Sequence, residues 1–142
     1  MIIIIETDVA IDFLRGKNQE TNKKINLLID QGADLRITQI TTCELWYGAY
    51  RLKSKEKQIA ELKKLNKFIL NFPKILTLDN NSSRIYGEIC TELDDQGLRV
   101  PQRDLLNASI AIANKVTLIT KDRSHFPRIN ELSEFDFLEL WE

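Results

Sequence analysis

Short, fully apolar runs alternate along this chain with longer segments of helical periodicity, and this alternation is its strongest structural constraint. Apolar runs without polar alternation are typical of strands that are covered on both faces. We predict strands at residues 2–5, 35–38, 74–78 and 116–120 and an edge strand at 135–140. Predicted helices lie between them, at about 7–14, 19–31, 41–52, 54–72, 80–94 and 102–114. Strands joined by helical crossovers predict an open parallel α/β sheet with helices on both faces.

The chain has the size and composition of one domain. Its 142 residues are 43% hydrophobic, which is enough for a single core, so we predict one domain over 1–142. The apolar opening of the chain ends at Glu6. It is too short for a signal peptide or a membrane span, and we therefore expect a cytoplasmic protein without membrane contact.

Several kinds of catalytic site are excluded by what the chain lacks. Its single histidine, His125, rules out His-rich zinc sites, and we expect the His125-Phe126 turn to pack against the sheet. No Gly-rich phosphate loop and no Gly-x-Ser-x-Gly elbow occurs. Cys43 and Cys90 are too far apart for a metal-binding pair and are predicted to be small buried hydrophobes.

The net charge of −1 conceals an uneven distribution of charges. Residues 51–67 contain seven bases and two acids, whereas the last twelve residues contain acids and no base. A surface polarised in this way could steer a polyanion to one face of the protein. An ordinary solvated helix would explain the Lys-rich segment equally well.

Four carboxylates occur at strand ends or in the helices beside them: Glu6, Glu44, Asp104 and Asp122. Each alone could be a helix cap or a solvated turn. Together they are harder to dismiss, because the carboxyl ends of parallel strands share one edge of a sheet, where ligand sites form. Asp104 also opens an otherwise apolar helix, where an unpaired charge is costly. An oxygen-only cluster suits Mg²⁺ or Mn²⁺, and such a cation acts most naturally on phosphate esters.

Four segments resemble, in order and spacing, the motifs of PIN-domain ribonucleases, above all the toxins of VapBC-type toxin–antitoxin pairs. The first is a hydrophobic strand that runs into an acid-Thr-Asp turn, and the fourth is a Thr-x-Asp turn followed by His-Phe. The segments are Ile5-Glu6-Thr7-Asp8-Val9, Ile40-Thr41-Thr42-Cys43-Glu44-Leu45, Val100-Pro101-Gln102-Arg103-Asp104-Leu105 and Leu118-Ile119-Thr120-Lys121-Asp122-Arg123-Ser124-His125-Phe126. The resemblance implies a PIN-like, doubly wound parallel sheet of four to five strands.

The same resemblance implies a function and a set of site residues. The chain would be a Mg²⁺- or Mn²⁺-dependent endoribonuclease toxin with an RNA substrate, a cognate antitoxin and a homodimeric state. The catalytic acids would be Glu6, Glu44, Asp104 and Asp122, and three of them, Glu6, Asp104 and Asp122, would bind the metal. Thr7, Asp8 and Thr120 would orient these ligands, and Arg15, Arg103, Lys121 and Arg123 would contact phosphates.

One position departs from the family pattern. The first acid is normally Asp, whereas Glu6 is longer by one methylene, and Mg²⁺ requires near-ideal octahedral geometry. The alternative is therefore a PIN-like RNA- or partner-binding module with weak or no catalysis. A third hypothesis is a phosphoacceptor receiver domain, in which Asp79 follows a strand and Thr120-Lys121 resemble switch residues.

Overall fold

A four-stranded parallel sheet runs through the centre of the protein, and a computed structural model describes all residues from 1 to 142. The strands are β1 (Ile2–Ile5), β2 (Asp34–Arg36), β3 (Thr117–Thr120) and β4 (Leu138–Leu140). Their order in the sheet is β2-β1-β3-β4, and every pair is parallel. Because β1 and β3 are the central strands, residues that follow them lie at the middle of one sheet edge. The predicted sheet and its edge strand are confirmed.

Seven helices connect and cover these strands. They are α1 (Thr7–Arg15), α2 (Gln19–Asp30), α3 (Gln39–Tyr50), α4 (Lys55–Leu70), α5 (Asn80–Asp95), α6 (Gln102–Asn114) and α7 (Phe126–Leu132). The first six correspond to the predicted helices. The expected start of α3 was wrong, because Thr38 caps it by accepting a hydrogen bond of 3.1 Å from the backbone N–H of Thr41.

Alternation along the strands gives each face of the sheet its own core. Ile3, Ile5 and Ile119 belong to a buried cluster with α1, α2, α3 and α4. Ile4 and Leu118 point to the opposite face and pack with α5, α6 and α7. Successive side chains of a strand point to opposite faces, so a strand covered on both faces must be apolar throughout. This arrangement confirms helices on both sides of the sheet.

The prediction of a strand at 74–78 was wrong. The segment makes a single parallel bridge between Thr38 and Leu76, held by hydrogen bonds from Leu76 N to Ile37 O and from Gln39 N to Leu76 O. Its neighbouring strand cannot extend the pairing, because the chain turns into α3 directly after Thr38. Asp79, which follows this segment, is the cap of α5 and accepts from the N–H of Ser82. It therefore serves as a helix cap in this structure.

Two further expectations also need correction. Cys43 is exposed and Cys90 is only half-buried, so Cys43 is not a core residue. The turn at His125 leads into α7, a helix that the sequence pattern did not predict, although Phe126 is fully buried as expected. No helix combines the length and the hydropathy that a membrane crossing requires.

Candidate active site and metal centre

Glu6 occupies the point where β1 ends and α1 begins. Its backbone N–H donates to the carbonyl of Ile119 on β3 at 2.9 Å, so the residue stays attached to the sheet. Its own side chain caps α1, with Oε2 accepting from the N–H of Asp8 at 3.2 Å. The residue is only 5% exposed. The strand-to-helix turn thus places a carboxylate in the interior of the sheet edge.

Thr120, the last residue of β3, connects Glu6 with Asp8. Its Oγ1 lies 3.3 Å from Glu6 Oε2 and 3.1 Å from Asp8 Oδ2. The N–H of Lys121 also donates to Asp8 Oδ2, at 2.8 Å. Burial, and next the hydrogen bond and the charge of Asp8, raise the pKa of Glu6 to about 9. Two carboxylates are therefore held together here with little water to separate their charges.

Glu44 extends from α3 into the same region and is held from two sides. Thr7 Oγ1 donates to Glu44 Oε1 at 2.8 Å, and Arg103 Nε lies 3.3 Å from Glu44 Oε2. Burial raises the pKa of Glu44, while the hydroxyl of Thr7 and the charge of Arg103 oppose that rise. This carboxylate is accordingly fixed in position and partly neutralised.

Asp104 and Asp122 converge on one nitrogen atom. His125 Nδ1 lies 3.2 Å from Asp104 Oδ2 and 3.0 Å from Asp122 Oδ2. The other oxygen of Asp122 accepts from the N–H of Ser124 at 2.8 Å, which fixes the orientation of the carboxylate. Burial, followed by the charge of Asp122, raises the pKa of Asp104 to about 6. The charge of Glu44 contributes to the same rise, so the acids on α3 and α6 and the acid after β3 act on one another.

The donor set suits a hard or borderline divalent cation. Ligand atoms of Asp104, Asp122 and His125 all lie within 4.8 Å of one another. Glu6 is also electrostatically close, because the charge of Asp104 contributes to its raised pKa. Holding like charges together in a desolvated cleft is unfavourable without a counter-ion, and a divalent cation removes that penalty. Of the three predicted metal ligands, Asp104 and Asp122 thus lie together with His125, whereas Glu6 is not part of that group and is linked to it through the charge of Asp104.

The four bases predicted to contact phosphates differ in their surroundings. Arg15 and Arg123 are exposed and form no ion pair, and Arg103 pairs with Glu44 at the mouth of the cleft. The ammonium group of Lys121 binds Asp12 and also donates to Thr21 Oγ1 at 2.8 Å. It therefore ties the end of β3 to α1 and α2.

Sequence reasoning missed two parts of this site. It assigned His125 to a packing turn, because a lone histidine gives no spacing pattern, although its place three residues after Asp122 was a usable signal. It also missed a chain of buried polar side chains beneath the cleft. Thr7 Oγ1 lies 3.0 Å from Thr41 Oγ1, and Thr38 Oγ1 donates to Asn107 Oδ1, whose helix α6 carries Asp104 one turn earlier. Asn107 in an otherwise apolar helix was the visible sign of this network.

Comparison with known proteins agrees with this fold. The family model of the PIN domain matches residues 3–132. Ribonuclease VapC2 of Rickettsia felis is 30% identical over 142 residues, which cover 100% of this chain and 99% of that protein. The crystal structure of VapBC2 from Rickettsia felis, bound to a DNA fragment from its promoter, matches 100% of both chains with a TM-score of 0.83 and 30% identity. FitAcB from Neisseria gonorrhoeae matches 90% of this chain and 93% of its own with a TM-score of 0.78 and 26% identity. A family match over nearly the whole length, together with this fold, establishes that the chain belongs to the PIN domain family.

Proposed function

We propose that this protein is a divalent-cation-dependent endoribonuclease that hydrolyses RNA phosphodiester bonds and acts as the toxin of a type II toxin–antitoxin pair. The observation that carries the proposal is the convergence of Asp104 and Asp122 on one imidazole nitrogen, with Glu6 and Glu44 acting on the same cleft. A relative that matches the whole chain is named a ribonuclease, which supports RNA as the substrate.

Mg²⁺ or Mn²⁺ is the proposed cofactor, held by Glu6, Asp104 and Asp122. When bound, such a cation supplies Lewis acidity toward a phosphate oxygen and lowers the pKa of water. The protein contributes a rigid and dry setting for that chemistry. Glu6 and Asp104 are 5% and 9% exposed, so their charges are poorly screened by solvent.

Neighbouring side chains keep the acids in place. The hydroxyl of Thr120 lies within hydrogen-bond distance of both Glu6 and Asp8 in the strand-to-helix turn, and Thr7 donates to Glu44. Glu44 lies apart from the pair of aspartates at His125 and faces Arg103 at the cleft mouth. We assign Glu44 to catalysis as a carboxylate that can accept or hold a proton near the scissile phosphate.

The proposed phosphate contacts are Arg15, Arg103, Lys121 and Arg123. The two free guanidinium groups, Arg15 and Arg123, are exposed and available to the RNA backbone. Arg103 can reach a phosphate while it remains near Glu44, because its side chain is 64% exposed. Lys121 would have to leave Asp12 to take part, which makes it the weakest of the four candidates.

The proposed partners are a cognate antitoxin and a second copy of the chain. The Rickettsia felis structure that matches this chain is a VapBC2 assembly, which supports an antitoxin. An Arg or Lys of that antitoxin would enter the acidic cleft, where its charge would replace that of the cation. For the homodimer we propose the exposed side of α3, where Trp46 and Tyr50 pack at 6.4 Å between ring centroids and Tyr50 is 62% exposed.

Three measurements test this proposal. Purified protein should cleave RNA with Mg²⁺ or Mn²⁺ and lose the activity in chelator, whereas chelator-resistant cleavage would indicate a contaminant or another mechanism. Co-expression with the protein of the neighbouring reading frame should give a complex that co-purifies and does not cleave. Light scattering at tens of micromolar should report a dimer, and a monomer at that concentration would contradict the homodimer.

A second candidate function is RNA or partner binding with little catalysis. Glu6 favours this alternative in two ways. Its side chain is longer than the Asp that the family has at this position. Its pKa of about 9 also keeps it protonated near neutrality until a cation binds. Tight RNA binding without cleavage, in the presence of saturating Mn²⁺, would support this alternative.

A further inference from the structure

The position of His125 is set by both the loop before it and the helix after it. Asp122 N–H donates to Thr120 Oγ1 at 3.1 Å, and Asp122 Oδ1 accepts from the N–H of Ser124 at 2.8 Å. On the other side, Phe126 begins α7 and is fully buried in the core beneath the sheet. His125 itself is only half-buried, so its own packing does not fix it. The hydrogen-bonded loop before it and the buried Phe126 after it place the imidazole at the cleft.

The distances around its Nδ1 atom agree with those of a coordination shell. Adjacent ligands of an octahedral ion that binds at about 2.1 Å are separated by about 3.0 Å. His125 Nδ1 lies 3.2 Å from Asp104 Oδ2 and 3.0 Å from Asp122 Oδ2. His125 Nδ1 therefore lies at the distance of an adjacent ligand from each carboxylate oxygen, and the ligand atoms of the three residues all lie within 4.8 Å of one another.

Hydrogen bonding alone accounts less well for this arrangement. A neutral imidazole has one N–H, and Nδ1 carries either that hydrogen or a lone pair. One hydrogen on Nδ1 can serve the hydrogen bond to Asp122 Oδ2 at 3.0 Å, but it does not explain why Asp104 Oδ2 also lies 3.2 Å from the same nitrogen. With the hydrogen on Nε2, the lone pair of Nδ1 would face the same point as the two carboxylate oxygens.

We propose that His125 Nδ1 is a direct ligand of the divalent cation held by Asp104 and Asp122. The inference rests on the proposed metal dependence and adds a nitrogen donor to a site otherwise made of oxygen. Mg²⁺ prefers oxygen ligands, demands near-ideal octahedral geometry and gives up its water reluctantly, whereas imidazole suits later first-row metals such as iron, nickel, copper and zinc. His125 should therefore shift the preference of the site away from Mg²⁺. Mn²⁺ suits carboxylate ligands, is less strict in geometry than Mg²⁺ and is paramagnetic, so it can serve as the probe.

Electron spin-echo spectroscopy of bound Mn²⁺ tests the ligand directly. His125 is the single histidine of the chain, so in untagged protein any imidazole nitrogen coupled to the metal must belong to it. We expect a nitrogen coupling in the Mn²⁺-loaded protein that changes when the histidine is labelled with ¹⁵N. The measurement needs no variant and no activity, so it does not depend on how a substitution affects folding.

Cation affinities provide an independent readout. His125→Asn keeps an N–H donor near the position of Nδ1 but removes the imidazole lone pair. It should weaken Mn²⁺ binding by about 10–100-fold and weaken Mg²⁺ binding less. Loss of a group that only orients a metal ligand already costs that much affinity. Ser124→Ala is the matched control, because its exposed hydroxyl makes no hydrogen bond while its backbone N–H still serves Asp122. Its affinities should equal those of the parent.

The outcomes separate this inference from the proposed function. Bound Mn²⁺ without a histidine nitrogen coupling, in protein that cleaves RNA, would overturn the ligand assignment and leave the ribonuclease intact. Equal losses of Mg²⁺ and Mn²⁺ affinity in His125→Asn would overturn the claimed metal preference. Absence of any Mn²⁺ binding would overturn the inference together with the metal dependence on which it rests.

Discussion

Thr7 donates a hydrogen bond of 2.8 Å from its hydroxyl to Glu44 Oε1 and so joins two acidic motifs that are 37 residues apart. The same oxygen lies 3.0 Å from Thr41 Oγ1 inside the core. A threonine at the first position of α1 thus sets where a carboxylate of α3 lies relative to Glu6. This contact gives a precise role to a residue that the sequence pattern only marked as a neighbour of the acids.

Thr7→Val removes this hydrogen bond while nearly preserving the shape of the side chain. Because the bond lowers the pKa of Glu44, its loss should raise that pKa and move the acidic limb of the pH–rate profile to higher pH. Hydrogen bonds to charged groups contribute about 1.5–3 kcal/mol, so kcat should fall by about 10–100-fold. Thr7→Ser, which keeps the hydroxyl, should retain most of the rate. Equal losses in both variants would point to packing instead.

Asp104→Asn and Asp122→Asn should each abolish most cleavage. Each variant loses a charge that the cation needs. We expect the cleavage rate to fall by at least about 10²-fold, because loss of a group that only hydrogen-bonds to a metal ligand can already cost that much. Without metal, Asp104→Asn should unfold at a higher temperature than the parent above about pH 6, because burial and Asp122 raise the pKa of Asp104. RNA cleavage assays and thermal unfolding in chelator measure the two effects. A variant that is inactive only because it is unfolded would contradict this assignment.

Glu6→Asp tests whether one extra methylene weakens the enzyme. Asp at this position would be a better helix cap and would restore the family's ligand geometry. Misplacement by about 1 Å can cost about 10²-fold in rate, so we expect faster Mg²⁺-dependent cleavage and tighter Mg²⁺ binding in the variant. Mn²⁺, which is larger and less strict in geometry, should reduce the difference. If the two proteins bind Mg²⁺ and cleave RNA equally, the longer side chain is tolerated.

Glu6→Gln should stabilise the metal-free protein, and increasingly so with rising pH. Below about pH 4.5, Glu6 is protonated in both the folded and unfolded chains; between 4.5 and about 9 it ionises only on unfolding. The free energy of unfolding of the parent therefore falls through this window, and the fall reaches about 4 kcal/mol at pH 7.5. Gln does not titrate and escapes this loss. Chemical denaturation in chelator at several pH values measures the difference, with exposed Glu134→Gln as the control.

Arg123→Gln and Lys121→Gln should have different effects. Arg123 is exposed and unpaired, so its loss should raise KM for RNA. The slope of log K for RNA binding against log salt concentration should become shallower by about one unit. Lys121 is bound to Asp12 and Thr21, and its loss should mainly lower the free energy of unfolding. Salt titrations of RNA binding and thermal unfolding distinguish the two. A selective rise of KM in Lys121→Gln would restore it as a phosphate contact.

Local patterns predicted most of the fold because they record how each segment is buried. The isoleucine run of β1 is apolar at every position because the strand is covered on both faces, and α6 lacks a polar side for the same reason. The failures occurred where pairing depends on another segment. Residues 74–78 have strand character, yet Thr38 leaves the sheet for α3 and permits a single bridge. The sequence of a segment determines its propensity to form a strand. Whether that strand pairs over several residues depends on the path of the neighbouring strand.

The sequence by itself determined which edge of the sheet carries the acids, because parallel strands with helical crossovers must end on the same side. Only the tertiary structure decided which groups meet there. Lys121 turns to Asp12, which precedes it by 109 residues, and Asp104 reaches His125 from another element. These choices depend on packing distances and desolvation between distant segments, and neither residue type nor spacing along the chain records them.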